Sequence, residues 1–137
     1  MKKVLLVQPN YRAKRKSGVT MIHPPMGLAY IAAVLEKNKI PVKILDANAL
    51  NLSAEEVAKE ASAWDADIVG VSILTPAHNF AVEVARNLPP SVISVAGGAH
   101  ATAIPEILIK EGFSTAVRGE GEETCLDLAL GKNLAEI

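Results

Sequence analysis

Five short apolar runs, each followed by a stretch whose apolar residues recur at helical spacing, divide this chain, and that alternation leaves few folds open. The runs are Lys3–Val7, Val42–Leu45, Ile68–Ile73, Val92–Ala96 and Thr115–Val117. After the first, Gly27–Asn38 carries Leu28, Ile31, Ala32 and Leu35 at i, i+3, i+4 and i+7, one face of a helix. After the second, Ser53 and Glu56 have capping-box spacing ahead of a buried stripe of Val57, Ala61 and Trp64. Further helices are expected at about Asn79–Asn87, Pro105–Glu111 and Glu122–Leu130, stopped by Pro89-Pro90, Gly112 and Gly131. Five strand–helix units in series predict an α/β fold, a doubly wound five-stranded parallel sheet of flavodoxin-like (Rossmann-like) order 2-1-3-4-5. Half of the 137 residues are hydrophobic and only 4% are aromatic, a core that suits a sheet buried on both faces.

Residues 1–137 read as one domain. A charged fraction of 21% and a net charge of −1 exclude disorder. No apolar run reaches the roughly 18 residues of a membrane helix, so no membrane insertion is expected. Met1-Lys2-Lys3 leads into a run too short for a signal peptide. The single cysteine, Cys125, excludes an internal disulfide and points to a reducing, cytoplasmic setting. Charge is uneven: residues 1–45 balance at +8 and residues 46–137 at −9. Much of the basic excess is Arg12, Lys14, Arg15 and Lys16, read as a solvated loop, with an anion or partner contact as the sharper alternative. Nucleic acid is not expected as a partner, because the overall balance is slightly acidic.

In a sheet of this order a ligand binds outside the carboxyl ends of the strands, near the switch between strands one and three. The loops there exclude several chemistries. A phosphoacceptor needs acids after strands one and three, where Gln8-Pro9-Asn10 and Leu74-Thr75-Pro76 stand. No G-x-G-x-x-G joins strand one to its helix, and Tyr11–Val19 is too long and basic for a flavin phosphate loop. His23, His78 and His100 lie in separate loops, and one cysteine cannot build a zinc or iron–sulfur site. Ser72, His100 and Glu120 lack nucleophile-elbow spacing, so no catalytic residue is assigned. What remains is a pair of hydroxyls, Ser72 and Thr75, and a pair of glycines, Gly97-Gly98. Two successive glycines exceed what one turn needs, and with the hydroxyls they could line a slot for a flat heterocycle.

Ser72-Ile73-Leu74 followed by Gly97-Gly98 resembles the second and third parts of the cobalamin-binding signature. Its first part, D-x-H-x-x-G, is replaced here by Gln8-Pro9-Asn10-Tyr11. One branch of that family departs in the same way: the amino-terminal domain of cobalamin-dependent radical S-adenosylmethionine enzymes, which include anaerobic magnesium-protoporphyrin IX monomethyl ester cyclases and methyltransferases. Residues 4–10, 24–35, 46–47, 67–72, 97–106 and 117–124 are similar to it in order and spacing. The resemblance implies cobalamin as cofactor, its nucleotide tail held at the carboxyl edge of the sheet with no protein histidine on cobalt. The contacts it implies are Pro9, Asn10, Ser72, Leu74, Thr75, Gly97, Gly98, His100, Gly119 and Glu120.

The same resemblance implies a longer enzyme. A radical half needs C-x-x-x-C-x-x-C, so S-adenosylmethionine and a 4Fe-4S cluster are expected only in a C-terminal part beyond Ile137. That radical S-adenosylmethionine domain would be this module's partner within one chain, and the module alone is not expected to be catalytic. The alternative is a flavodoxin-like interaction or regulatory domain that has lost ligand binding.

Overall fold

The computed structural model describes residues 2–11 and 25–132. The basic stretch Arg12, Lys14, Arg15 and Lys16, together with His23 and Pro24, lies outside the described residues.

The strands are β1 (Val4–Gln8), β2 (Val42–Asp46), β3 (Ile68–Ser72), β4 (Ile93–Gly97) and β5 (Thr115–Ala116). They form one parallel sheet in the order β2-β1-β3-β4-β5, as the alternation predicts. Strand period sends Val4 and Leu6 to one face and Leu5 and Val7 to the other. All four are at most 1% exposed. Each such burial is worth about 1.5–3 kcal/mol relative to exposure.

The helices are α1 (Met26–Lys37), α2 (Ala54–Ala63), α3 (His78–Asn87), α4 (Ala99–Ala103), α5 (Pro105–Glu111) and α6 (Glu122–Ala129). Leu28 and Leu35 of α1 and Leu128 of α6 cover Val4 and Leu6. Val57 of α2, Val84 of α3 and Leu108 of α5 cover Leu5 and Val7. Crossovers of one hand place helices on opposite faces when the chain reverses direction across the sheet. That reversal lies between β1 and β3, where the carboxyl ends open the crevice.

Local sequence explains most boundaries. Ser53 Oγ accepts from the Glu56 amide at 3.1 Å, and Glu56 Oε1 accepts from the Ser53 amide at 3.2 Å. Trp64, expected in the buried stripe, is the C-cap of α2 and packs partly buried, with the Lys3 ammonium 5.6 Å from its ring centroid. The helix α4 has no counterpart among the expected elements. It is five residues long, starts at Gly98 without a side-chain cap and stops at Ile104, which leaves the helical region (φ −134°, ψ 54°) just before Pro105, as a residue ahead of a proline is pushed to do. No helix among the described residues is long and apolar enough to cross a membrane.

Ser53→Ala removes one half of the capping box and should cost about 1 kcal/mol. Urea unfolding followed by circular dichroism would show the midpoint falling with an unchanged slope.

Candidate functional site

One half of one sheet face is short of side chains. Residues 68, 70 and 72 of β3 and 93, 95 and 97 of β4 point toward α1 and α6. At the amino ends of the strands, Ile68, Ile93 and Val4 fill that space. Toward the carboxyl ends stand Gly70, Ser72 and Gly97, with Gly70 level with Leu6 and Val95, and Ser72 level with Gly97. The result is a cleft of about 300 Å³ floored by the sheet. Leu28, Tyr30 and Ile31 of α1 form one wall, and Val117, Cys125 and the 119–122 turn form the other.

The interior is mainly apolar. Among the described residues no lysine or arginine lines it, and its carboxylates, Glu120 and Glu122, sit on the turn entering α6. Burial, and secondarily the Glu122 charge, push the Cys125 thiol up to about 11, so it is protonated at neutral pH. The Ser72 hydroxyl is half-buried on the floor and has no hydrogen-bond partner among the described residues. A flat, uncharged ring with one hydrogen-bonding atom matches these walls.

Gly97 and Gly98 do different things. A Cβ on Gly97 would meet only the Val71 carbonyl oxygen, at 3.9 Å, so its missing side chain leaves room in the cleft. Gly98 has φ +90°, and a Cβ there would lie 2.9 Å from the Ile73 nitrogen and 3.0 Å from its oxygen. Its glycine is demanded by the backbone of the turn. Thr102 then ties that turn to the next one: its hydroxyl donates to the Gly98 carbonyl at 3.0 Å and accepts from the Gly119 amide at 3.0 Å.

Of the residues singled out in the sequence, Ser72, Gly97, Gly98, Gly119 and Glu120 line this cleft. Thr75 and His100 meet each other elsewhere on the carboxyl edge, 3.1 Å apart, and Leu74 is 53% exposed there. Pro9 is buried, and the Asn10 amide donates to Asn51 Oδ1 at 2.9 Å and to the Leu52 carbonyl at 3.0 Å, bracing the loop after β2. Gly70, Ile31, Glu122 and Cys125 line the cleft without having been singled out. Gly70 alone carried a signal, an isolated glycine inside an apolar strand.

The B12 binding domain family matches residues 17–129. The chain is 37% identical over 131 residues to an uncharacterized methyltransferase of Pyrococcus horikoshii, covering 92% of this chain and 28% of the relative. It is 32% identical over 132 residues to the anaerobic magnesium-protoporphyrin IX monomethyl ester cyclase of Rubrivivax gelatinosus, covering 92% of this chain and 24% of that one. The chain thus spans about a quarter of the length of these curated relatives. Among solved structures, the cobalamin-dependent S-adenosylmethionine radical enzyme OxsB, with aqua-cobalamin and S-adenosylmethionine bound, superposes with a TM-score of 0.79 at 19% identity, over 94% of this chain and 18% of that one. The radical S-adenosylmethionine methyltransferase TsrM of Kitasatospora setae, with cobalamin and a [4Fe-4S] cluster bound, gives 0.72 at 23% identity, over 98% of this chain and 28% of that one. At these identities the structures speak for the fold.

The two glycines are separable by stability. Gly98→Ala should lose about 1–3 kcal/mol through backbone strain. Gly97→Ala should be neutral or stabilise by up to about 1 kcal/mol. Equal losses in urea unfolding of the two variants would contradict the distinction.

Proposed function

We propose, on the premise that this chain belongs to the B12 binding domain family and that cobalamin is its cofactor, that the cleft between the sheet and helices α1 and α6 receives the nucleotide tail of cobalamin. The observation that carries this reading is the missing side chains at Gly70 and Gly97 beneath a mainly apolar cleft. The aromatic base of that tail is flat and neutral, and the unpartnered Ser72 hydroxyl can donate to its ring nitrogen. When bound, cobalamin supplies a reactive cobalt centre. This chain's own residues exclude water from the tail and orient it.

Cobalt carries no protein imidazole in this reading. Gln8-Pro9-Asn10-Tyr11 stands where a ligating histidine would follow β1. Both ring nitrogens of His78 and of His100 are already engaged in hydrogen bonds, which supports the same reading for these two. The whole protein is a cobalamin-dependent radical S-adenosylmethionine enzyme, a methyltransferase or a cyclase, whose radical domain and 4Fe-4S cluster lie in the same chain as this module. The relatives' names and the quarter of their length that this chain spans support that assignment. A reducing cytoplasm suits both the cluster and Cys125.

The purified protein should retain hydroxocobalamin through gel filtration and should not retain cobinamide, which has the corrin but no nucleotide tail. Gly97→Leu, which fills the cleft, should abolish retention and leave the circular dichroism spectrum intact. Equal retention of both corrinoids, or undiminished binding by Gly97→Leu, would sink the tail-slot reading. Retention of neither would favour a domain that has lost ligand binding.

Cys125 offers an independent check. Because its thiol is protonated at pH 8, a small thiosulfonate reagent should label it slowly, and faster as pH rises toward 11, up to the limit set by its burial. Saturating methylcobalamin should slow that labelling further. An unchanged rate would place the ligand outside the cleft.

A further inference from the structure

Four side chains from four segments form one hydrogen-bonded chain at the carboxyl edge of the sheet, outside the lining of the cleft. Glu111 Oε2, at the end of α5, lies 2.6 Å from His78 Nε2, at the start of α3. His78 Nδ1 lies 2.8 Å from His100 Nε2, on α4. His100 Nδ1 lies 3.1 Å from the Thr75 hydroxyl, just after β3. The two imidazoles cross at 81° with their centroids 5.0 Å apart, so an edge nitrogen of each aims at the other ring's nitrogen.

Only one arrangement of hydrogens fits an ionised Glu111 and two neutral imidazoles. A carboxylate only accepts, so His78 Nε2 carries the hydrogen and His78 Nδ1 is an acceptor. His100 Nε2 must then donate, which leaves His100 Nδ1 as an acceptor. The Thr75 hydroxyl therefore donates to His100, and its single proton is spent. One carboxylate at the back of the chain sets the direction of three hydrogen bonds.

We infer that Glu111 and His78 are positioning residues that orient the His100–Thr75 pair, so that the exposed Thr75 oxygen meets a ligand as a hydrogen-bond acceptor and takes an N–H or O–H donor such as a primary amide. Burial, and then the neighbouring His78, hold the His100 pKa below its ordinary value, which favours the neutral ring that this orientation requires. Among the described residues, Arg86 of α3 adjoins the chain, its Nε donating to the Glu111 carbonyl at 2.8 Å, and the Tyr11 phenol bonds the backbone of Leu74, next to Thr75. The orientation of the chain is independent of what the ligand is; its effect on binding rests on the cobalamin reading above.

Long-range ¹H–¹⁵N spectra of the histidine rings at pH 8, recorded on the unliganded protein, test the orientation directly. Expected are His78 and His100 both as single Nε2–H tautomers, and mixed tautomers at both rings in Glu111→Ala. A His100 Nδ1–H tautomer in the wild type, or unchanged tautomers in Glu111→Ala, would overturn the inference. A second arm reads binding of hydroxocobalamin. Losing one such bond should weaken it about 2- to 10-fold in Thr75→Val and in Glu111→Ala at pH 8, with Thr75→Ser keeping wild-type affinity. Wild-type affinity in both Thr75→Val and Glu111→Ala would overturn the acceptor role of Thr75. Absence of corrinoid binding in the wild type would instead defeat the cobalamin reading, with the ring spectra still deciding the orientation.

Discussion

Everything in this molecule is built around β1, which has a hydrogen-bonded strand on each side and a layer of helices on each face. A parallel strand so placed can carry no polar side chain in its middle, and Val4–Val7 carries none. Because β1 pairs with β2 on one edge and β3 on the other, the chain must reverse across it, and the loops leaving neighbouring strands part there. The candidate site is a consequence of that reversal. Its particular shape is a consequence of what β3 and β4 leave out.

Leaving side chains out has two distinct physical meanings here, and both occur within two residues. At Gly97 the absent atom would have pointed into empty space, so glycine there makes volume. At Gly98 it would have struck the Ile73 backbone, so glycine there permits a turn. Gly70 stands between the two cases. A Cβ would approach Leu6 Cδ2 to 3.1 Å, a contact that needs the leucine to give by a few tenths of an ångström. A parallel sheet with ordinary aliphatic residues at positions 70 and 97 would have the same topology and no cleft.

The strand order and five of the six helices were legible in the sequence, because periodicity reports burial, and burial on two faces is what a doubly wound sheet is made of. The helix α4 was not, since five residues without a side-chain cap between Gly98 and Pro105 carry no period to read. Ser72, Gly97 and Gly119 were legible as cleft residues through their position at strand ends. Ile31 and Cys125 were not, because on their own helices they look like ordinary members of an apolar stripe. His78 and Glu111 are 33 positions apart, and only the packing of α3 against α5 makes them neighbours. No spacing rule could have joined them to Thr75.

The Thr102 hydroxyl, donating to Gly98 and accepting from Gly119, makes the turns after β4 and β5 one stiff bracket. Opposite the bracket, the first turn of α1 has no side-chain cap and no acidic residue to steady it. The cleft therefore has unlike walls: one is cross-tied through a single hydroxyl, so its shape is set before any ring arrives, while the mouth on the α1 side is held by apolar packing.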